Sequence, residues 1–386
     1  MNMNKMMKIA AVSAICCLAA CGEKYEKPSE GSMTGFALSF FRSVNDGMKK
    51  TENVVVSPYS AGTALSMLAE GADGETAAEL YGALNGCNFR GIVPDCNDSL
   101  VVKSANSLWM DDEFRIRDSY VNLLRESYGA SVYARDFSSA KTPDDINSWC
   151  SEHTEGKISN IVDRISPDMA MILVNALYFN APWQNAFDEG LTAERIFHGL
   201  SGDADVPMMT RKGDYFYAEY NGCQMIRIPY ASGAYSMYVV LPPSGIDVND
   251  VMPYLGESVY DAAIQMLEER KVVFSFPKYK LETSMVLNGT LESMGVRKAF
   301  SSAADFSGIS SSRSLTLDMV RQKCYIEVSE KGTEAAAVTS VQIRMTSIMP
   351  DKKPAVTMTV DRPFLFFIVD EGGDAGILFA GKIVNI

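Results

Sequence analysis

The chain has 386 residues, 47% of them hydrophobic, a proportion that is normal for a globular protein with a substantial core. Its formal net charge of −13 at pH 7 argues against a nucleic-acid partner, which would favour a basic surface. The two histidines, His153 and His198, lie in no recognisable nucleophile motif, and no cluster of His, Cys and carboxylates has the spacing of a metal site. We therefore expect no enzymatic activity, no cofactor and no metal.

The first twenty residues have the pattern of an export signal. Lys5 and Lys8 precede an apolar run over residues 9–18, which is too short to span a bilayer. The sequence LAAC at 18–21 resembles the bacterial lipobox, in which the cysteine is lipidated and becomes the mature N-terminus. We expect a signal peptide over residues 1–20 and lipidation at Cys21; the alternative is a secreted protein that is cut near Ala20.

Residues 21–32 are mainly polar and include Pro28 and Gly31, which predicts a flexible tether after the lipidated cysteine. An acyl chain at Cys21 would hold the folded part outside the cytoplasm at a bacterial membrane. The side of the membrane that carries the anchor is left open, including the cell surface. Residues 33–386 show no composition break and no internal repeat, so we expect them to form one domain.

Hydrophobic periodicity predicts both helices and strands in that domain. Helices are predicted at residues 36–44, 58–70, 119–128, 144–158 and 285–294, and Thr76 is predicted to cap a further helix. Strands are predicted at 53–57, 101–110, 171–179, 226–228, 237–241, 271–276, 363–369 and 376–384. The run at 171–179 is almost continuously apolar, as is typical of a central strand covered on both faces. The mixed order of elements indicates the α+β class.

Five cysteines follow the predicted lipidation site, at positions 87, 96, 150, 223 and 324. Their spacing matches no zinc or redox motif, and their odd number prevents complete pairing. Cys87 and Cys96 close a short loop, and whether they pair is left open. We expect the other three to be buried packing residues.

The segment from residue 330 to residue 347 has two possible conformations. Small or apolar residues alternate with polar ones from Thr333 to Met345, which is the period of a half-buried strand, and Gly332 provides free backbone dihedrals before it. A helix capped by Thr333 and running through three alanines is the alternative. The β-branched residues beyond the alanines and the absence of proline favour the strand.

Six motifs between about Phe36 and Ile386 together resemble the serpin family of protease inhibitors. In chain order they are NVVVSPYS at 53–60, GADGET at 71–76, TEGKI at 154–158, NALYF at 175–179, EKGTEAAA at 330–337 and DRPFLF at 361–366. The resemblance implies helices packed around a large central mixed sheet and two smaller sheets, with an exposed reactive-centre loop at about residues 332–354.

The resemblance also implies a mechanism of inhibition. A target protease, a serine or a cysteine protease outside the cell, attacks the loop and forms an acyl-enzyme with it. The cut loop then inserts into the central sheet and traps the protease. A serpin that acts as a carrier or binding protein without inhibiting is the alternative. The small residues of the hinge sequence favour the inhibitor.

Individual residues receive roles from the same resemblance. The hinge corresponds to Glu330, Gly332, Thr333, Glu334, Ala335, Ala336 and Ala337. The sheet-opening region corresponds to Ser57, Ser60, Asn175, Trp183 and Gln322. Gln322 stands where many family members have a histidine. Because an amide cannot change its charge near neutral pH, we expect no pH switch at that position.

The reactive bond is expected between Thr346 and Ser347, because Thr346 is the seventeenth residue counted from Glu330. The loop is longer than in common members, which leaves Arg344 and Met345 as alternative acyl donors. Thr346 would suit elastase-like or subtilisin-like proteases with small pockets, whereas Arg344 would suit trypsin-like ones.

Target proteases are therefore the expected partners of what we expect to be a monomer, and the lipid anchor would provide contact with the membrane. A polysaccharide activator is not expected, because residues 87–107 contain only Arg90 and Lys103 as cations and the whole chain is acidic.

Overall fold

The computed structural model describes residues 31–92, 94, 100–311, 315–333 and 354–386. The α-helices are α1 (Met33–Asp46), α2 (Pro58–Gly71), α3 (Gly74–Ala83), α4 (Asp118–Tyr128), α5 (Thr142–His153), α6 (Val248–Val251), α7 (Glu257–Gln265) and α8 (Asn288–Ser293). The strands are β1 (Val54–Val56), β2 (Val101–Asp111), β3 (Ser131–Arg135), β4 (Met171–Pro182), β5 (Ala193–Gly199), β6 (Gly202–Tyr220), β7 (Cys223–Pro229), β8 (Tyr235–Leu241), β9 (Glu268–Pro277), β10 (Tyr279–Val286), β11 (Met319–Val328), β12 (Gly332–Thr333), β13 (Val356–Thr359), β14 (Phe364–Asp370) and β15 (Ile377–Ile383).

One sheet has six strands in the order β10, β11, β12, β4, β2 and β3. It is mixed, because β11 runs parallel to β4 and β2 runs parallel to β3, whereas the other pairs are antiparallel. The predicted central strand at 171–179 lies in β4, and all of those residues are buried. The prediction of a strand covered on both faces is therefore confirmed.

The second sheet has nine strands, and β6 connects its two parts. The main path runs β1, β15, β14, β8, β7, β6, β9 and β13, with β5 paired to β6. Residues 208–217 of β6 pair with β9, and residues 216–220 pair with β7. The two smaller sheets that were expected are thus continuous through the backbone hydrogen bonds of one long strand.

Two hydrophobic clusters cover the six-stranded sheet from opposite sides. On β4, Leu173 and Leu177 belong to the main core, which the sheet shares with α1, α2 and the nine-stranded sheet. The alternate residue Val174 belongs to a second cluster, which also contains Trp149 of α5. Because side chains alternate along a strand, α5 covers one face of the sheet and the main core covers the other.

The start of α2 is well defined by its sequence. Pro58 occupies the first turn, where no amide hydrogen is needed, and the Ser57 side chain accepts a hydrogen bond from the Ser60 amide. This cap fixes the N-terminus of α2 next to the six-stranded sheet. The predicted break of the chain from strand to helix at Pro58 is confirmed.

Three predicted helix boundaries are wrong. Asp73, not Thr76, caps α3, and Thr76 lies inside that helix, where its hydroxyl accepts a hydrogen bond from the Asp305 amide. The helix expected at 285–294 is shortened to α8 because β10 continues to Val286. The helix expected at 144–158 ends at His153, and Ile158 packs into the second cluster from the following segment.

The described cysteines are mostly buried packing residues. Cys87, Cys150 and Cys324 are buried free thiols, whereas Cys223 is half-buried at the start of β7. Cys96 lies outside the described residues. Within the described part of the chain, no helix is long and apolar enough to cross a membrane.

Candidate functional site: the hinge and the seam of the six-stranded sheet

The first two residues of the predicted loop already form a strand within the sheet. β12 lies between β11 and β4 and is antiparallel to both: Gly332 pairs with Pro182, and Thr333 pairs with Ala181 and with Val328. Beyond this point β11 and β4 pair directly, in parallel, from Met319 with Ile172 to Tyr325 with Tyr178. We call this direct pair of strands the seam. The seam is the place where a longer insertion would have to separate the sheet.

Thr333 is held by a buried aromatic cluster. It is fully buried, and its hydroxyl lies 2.7 Å from the Tyr230 hydroxyl. The Tyr230 ring stacks on Trp183 at a centroid distance of 4.6 Å, and the Trp183 indole donates a 2.9 Å hydrogen bond to the Ser329 carbonyl. The Trp183 amide donates a further 2.9 Å bond to the carbonyl of Lys331. These contacts fix both sides of the tight turn that leads into β12.

Gly332 is required by a close approach of two backbones. A Cβ atom added there would lie 2.2 Å from the Ala181 carbonyl oxygen and 2.7 Å from the Pro182 Cα. Both neighbours are main-chain atoms of β4, so neither can give way by a side-chain rotation. Any other residue would therefore push the hinge out of its place between the strands.

Glu330 attaches the hinge to the nine-stranded sheet. Its carboxylate lies 2.8 Å from the Lys278 ammonium and accepts a 2.9 Å hydrogen bond from the Thr192 hydroxyl. Burial would raise the pKa of the Glu330 carboxyl, but the hydrogen bonds from Lys278, the backbone and Thr192, together with the charge of Lys278, outweigh it, and the pKa is lowered. The ionised carboxylate is therefore the form that the folded hinge prefers.

Two amides bridge the seam in its middle. Gln322 of β11 and Asn175 of β4 are register partners, and the Gln322 amide nitrogen donates to the Asn175 side-chain oxygen at 3.0 Å. The same nitrogen donates to the Ser57 carbonyl at 2.9 Å, and the Gln322 oxygen accepts from the Ser57 amide at 3.0 Å. The seam is thus tied to the N-terminus of α2 as well as closed by its backbone ladder.

Asn175 extends this network to the third strand. Its amide nitrogen donates to the Ser60 carbonyl at 3.0 Å and to the side-chain oxygen of Asn106 on β2. Asn106 is the register partner of Asn175 and is 4% exposed. The Ser60 hydroxyl oxygen is buried and has no hydrogen-bond partner within the described part of the chain. The network is well satisfied except at this one hydroxyl.

Comparison with known proteins agrees with this geometry. The family model described as "Serpin (serine protease inhibitor)" matches residues 31–386. This chain is a serpin. It is 34% identical over 372 residues to a serine protease inhibitor of Cyanea capillata, with 90% of this chain and 96% of that one covered.

Solved serpin structures show the same fold. The native thermophilic serpin tengpin superposes with a TM-score of 0.81 at 30% identity, and 92% of this chain and 93% of that one are covered. Human thyroxine-binding globulin in complex with its ligand superposes with a TM-score of 0.82 at 26% identity, and 92% of this chain and 97% of that one are covered. The expected serpin fold is confirmed by these structures.

The residues expected to form the serpin's sheet-opening region divide into two groups. Ser57, Ser60, Asn175 and Gln322 meet at the middle of the seam, whereas Trp183 lies at its upper end against the hinge. Among the expected hinge residues, 330, 332 and 333 are described, and Glu334, Ala335, Ala336 and Ala337 lie outside the described residues. The expected reactive bond, Thr346–Ser347, and its alternatives Arg344 and Met345 also lie outside them.

Sequence reasoning missed several residues of the site. Asn106 could have been suspected, because it is a polar residue in the middle of a strand of mostly buried residues. Tyr230, which follows β7, and Lys278, which lies between β9 and β10, carried no such signal in the sequence. Their partners, Thr333 and Glu330, are distant from them along the chain. Their roles depend on contacts that only the folded chain makes.

A first prediction concerns the amide bridge. Gln322→Leu removes the hydrogen bonds that Gln322 makes with the Ser57 amide and with the Asn175 side-chain oxygen while keeping a similar volume. The loss of these buried hydrogen bonds should cost roughly 2–4 kcal/mol, measured as a lower urea midpoint of the native protein. Gln265→Leu, on the exposed end of α7, is the matched control. Equal losses in both variants would show that the bridge contributes nothing specific.

A second prediction concerns pH. Because the pKa of Glu330 is lowered on folding, its contribution to stability is complete above the ordinary glutamate value of about 4.3 and is lost as pH falls through the lower folded value. Glu330→Gln should therefore lower the thermal midpoint at pH 7, and its difference from the wild type should shrink below about pH 4. Glu126→Gln, on exposed α4, should show no such trend. A difference that stays constant with pH contradicts the assignment.

Proposed function

We propose that this serpin inhibits extracellular serine proteases by trapping them after they cut its reactive-centre loop. The observation that supports this proposal most is the position of Gly332 and Thr333, which form an antiparallel strand between β4 and β11 before any cleavage. These two residues therefore fix the strands between which the rest of the loop would insert, and its register with them. The Cyanea capillata relative is named a serine protease inhibitor, which agrees with the proposal.

The register of β12 defines what full insertion would look like. Each further loop residue would move one residue back along β4, so that Ile343, ten residues beyond Thr333, would lie beside Met171, ten residues before Ala181. Ten inserted residues at about 3.3 Å each would carry the loop roughly 33 Å along the sheet. Thr346 would then lie just beyond the far end of β4.

The same register gives a role to Thr339. It would lie six residues beyond Thr333, next to Asn175 on one side and Gln322 on the other. Insertion would break the bond between these two amides, and a hydroxyl between them can both donate and accept, so it would replace the lost bond. Alternate residues would follow Thr333 onto the main-core face; these are Ala335, Ala337, Thr339, Val341 and Ile343.

The energetic direction of insertion follows from strand orientation. The seam is a parallel ladder, and parallel pairing is slightly less stable per residue than antiparallel pairing. An inserted loop would replace this one parallel ladder by two antiparallel ladders and would bury its apolar face. The native state is then a kinetically trapped form that is released when the loop is cut and gains freedom to enter the sheet.

The fate of the protease follows from the same movement. The protease nucleophile forms an ester with the acyl-donor residue, proposed to be Thr346, while the chain from Ser347 onward leaves as the new N-terminus. Insertion pulls the attached protease to the far end of the sheet. Hydrolysis of the ester depends on accurate placement of the oxyanion-hole donors, so distortion of the protease active site stalls it.

The alternative is a serpin that binds a partner without inhibiting a protease, as thyroxine-binding globulin is named for its ligand. The small polar Thr333, fully buried between the strands, favours the inhibitor. A charged residue there would carry an unpaired charge into the core and oppose insertion.

The test mixes the protein with elastase-like, subtilisin-like and trypsin-like proteases. We expect an SDS-resistant complex with at least one of them, and a released peptide that begins at Ser347. Thr333→Arg should be cut at the same bond but should form at least tenfold less of the SDS-resistant complex, because a charge cannot be buried between the strands. Thr333→Ser, which keeps the hydroxyl, should retain it. Cleavage by every enzyme without a complex would instead identify a non-inhibitory serpin.

We also propose that the protein is exported and anchored to a bacterial membrane by a lipid on Cys21. The support is the signal-like sequence of residues 1–20, which lies outside the described residues. A lipid anchor at Cys21, followed by the tether, would keep the inhibitor where proteases attack the cell.

The anchor is tested with Cys21→Ala. We expect the wild type to sediment with membranes and the variant to be retained as an unprocessed precursor or to appear in the soluble fraction. Intact cells carrying the variant should lose protection of surface proteins against an inhibited protease. Equal membrane recovery of both forms would contradict lipidation at Cys21.

A further inference from the structure

A cavity that opens to the surface lies on the nine-stranded sheet, away from the hinge and the seam. Its volume is about 430 Å³. Strands β7, β8 and β14 form its floor through Met225, Val240 and Phe367, and helix α7 forms a wall through Val259 and Ala263. The space therefore lies between two layers of the fold, below the segment that contains α6.

The size and lining of this cavity suit a small molecule. Sites for small ligands are commonly about 300–1,000 Å³, mostly apolar, and carry few polar groups. Here the floor and the α7 wall are aliphatic and aromatic side chains. The mouth is also apolar, because Tyr254 is 75% exposed and Ile246 is 49% exposed at its edge. A bound molecule would cover large hydrophobic side chains that are otherwise left in water.

The shape of the rim is set by a tight hairpin. Tyr220 and Cys223 are register partners, and the two residues between them, Asn221 and Gly222, have φ angles of 50° and 81°. Two consecutive left-handed residues are the mark of a two-residue hairpin turn whose twist matches the strands. This side of the cavity is therefore held by the sheet and does not depend on the ligand.

One charged residue lines the cavity. Asp250 of α6 is exposed at its edge, and no cation pairs with its carboxylate within the described part of the chain. An ionised carboxylate only accepts hydrogen bonds, so it favours a positive or strongly donating group and disfavours an anion. We propose that the cavity binds a small amphipathic molecule with an apolar body and a cationic end, the apolar body on the sheet and the cation at Asp250.

The proposal is tested on the full chain with three fluorescent compounds that share a dansyl group. They are N-(5-aminopentyl)dansylamide, which is cationic, N-pentyldansylamide, which is neutral, and 6-(dansylamino)hexanoate, which is anionic. We expect saturable fluorescence enhancement with micromolar affinity for the cation and at least tenfold weaker binding of the anion. Absence of saturable binding by the cation overturns the proposal, and so does equal binding of cation and anion.

Two variants locate the site. Ala263→Trp should fill the cavity and weaken all three compounds at least tenfold, whereas Ser258→Trp, on the exposed side of α7, should not. Asp250→Asn should remove most of the preference for the cation and leave the neutral compound unchanged. Because Ala263→Trp could also disturb folding, its thermal midpoint is measured alongside. Unchanged binding in Ala263→Trp places the compounds elsewhere and overturns the assignment.

Cys223 provides a readout that needs no substitution. Its thiol is half-buried and lines the cavity, and burial raises its pKa. The cationic compound should slow alkylation of Cys223 in proportion to the fraction of cavities that it occupies. The alkylation is measured by peptide mass spectrometry. Protection of Cys223 in the wild type, together with loss of that protection in Ala263→Trp, supports the site. Alkylation of Cys223 that is unaffected by a saturating concentration of the compound contradicts it.

Discussion

The parallel pairing of β4 with β11 is the constraint on which the rest of this structure depends. β12 lies between the same two strands at their upper end and is antiparallel to both. The sheet therefore contains the first two residues of an antiparallel strand directly above a parallel pair of strands. The parallel ladder closes the seam from Tyr178 downward. A chain entering from β12 can only proceed by replacing that ladder with two antiparallel ones.

Side chains hold the two ends of this arrangement in different ways. At the upper end, Thr333 is packed and hydrogen-bonded against aromatic residues, and Glu330 is ion-paired, so that the hinge is anchored to the nine-stranded sheet. In the middle, Gln322 and Asn175 tie the seam to α2. The upper contacts keep the hinge inserted, whereas the amide contacts keep the seam closed below it. In the native state, therefore, the hinge already lies between β4 and β11, whereas the seam below it is still closed by direct pairing of these two strands.

The outer face of the sheet adds a third restraint. The second hydrophobic cluster joins α5 to both strands of the seam, through Val174 on β4 and Tyr325 on β11. Lys323 of β11 is almost fully buried on this face, where its ammonium contacts the Asn160 carbonyl at 2.5 Å and the Glu282 carboxylate at 2.5 Å. Separation of the strands would have to move α5 and the segment after it, because both are attached across the seam. The apolar cavity beside α7 is on the other sheet and is not part of these restraints.

Much of this protein was determined by its sequence alone, where local physical rules decide. A continuous apolar run made β4 a central strand, Pro58 after a capping serine started α2, and the small residues after Gly332 indicated a segment able to enter a sheet. Local rules failed where two residues competed for one role. Asp73 and Thr76 can both cap a helix, and the fold uses Thr76 to bind a distant amide instead.

The tertiary structure decided which residues share a site, because those contacts join segments far apart in the chain. It placed Trp183 against the hinge, added Asn106 as the strand partner of Asn175, and showed that Gly332 is needed for a close approach to β4. Sequence period fixes which face a side chain takes. Only strand order and register fix what it meets there, since both depend on pairings between distant parts of the chain.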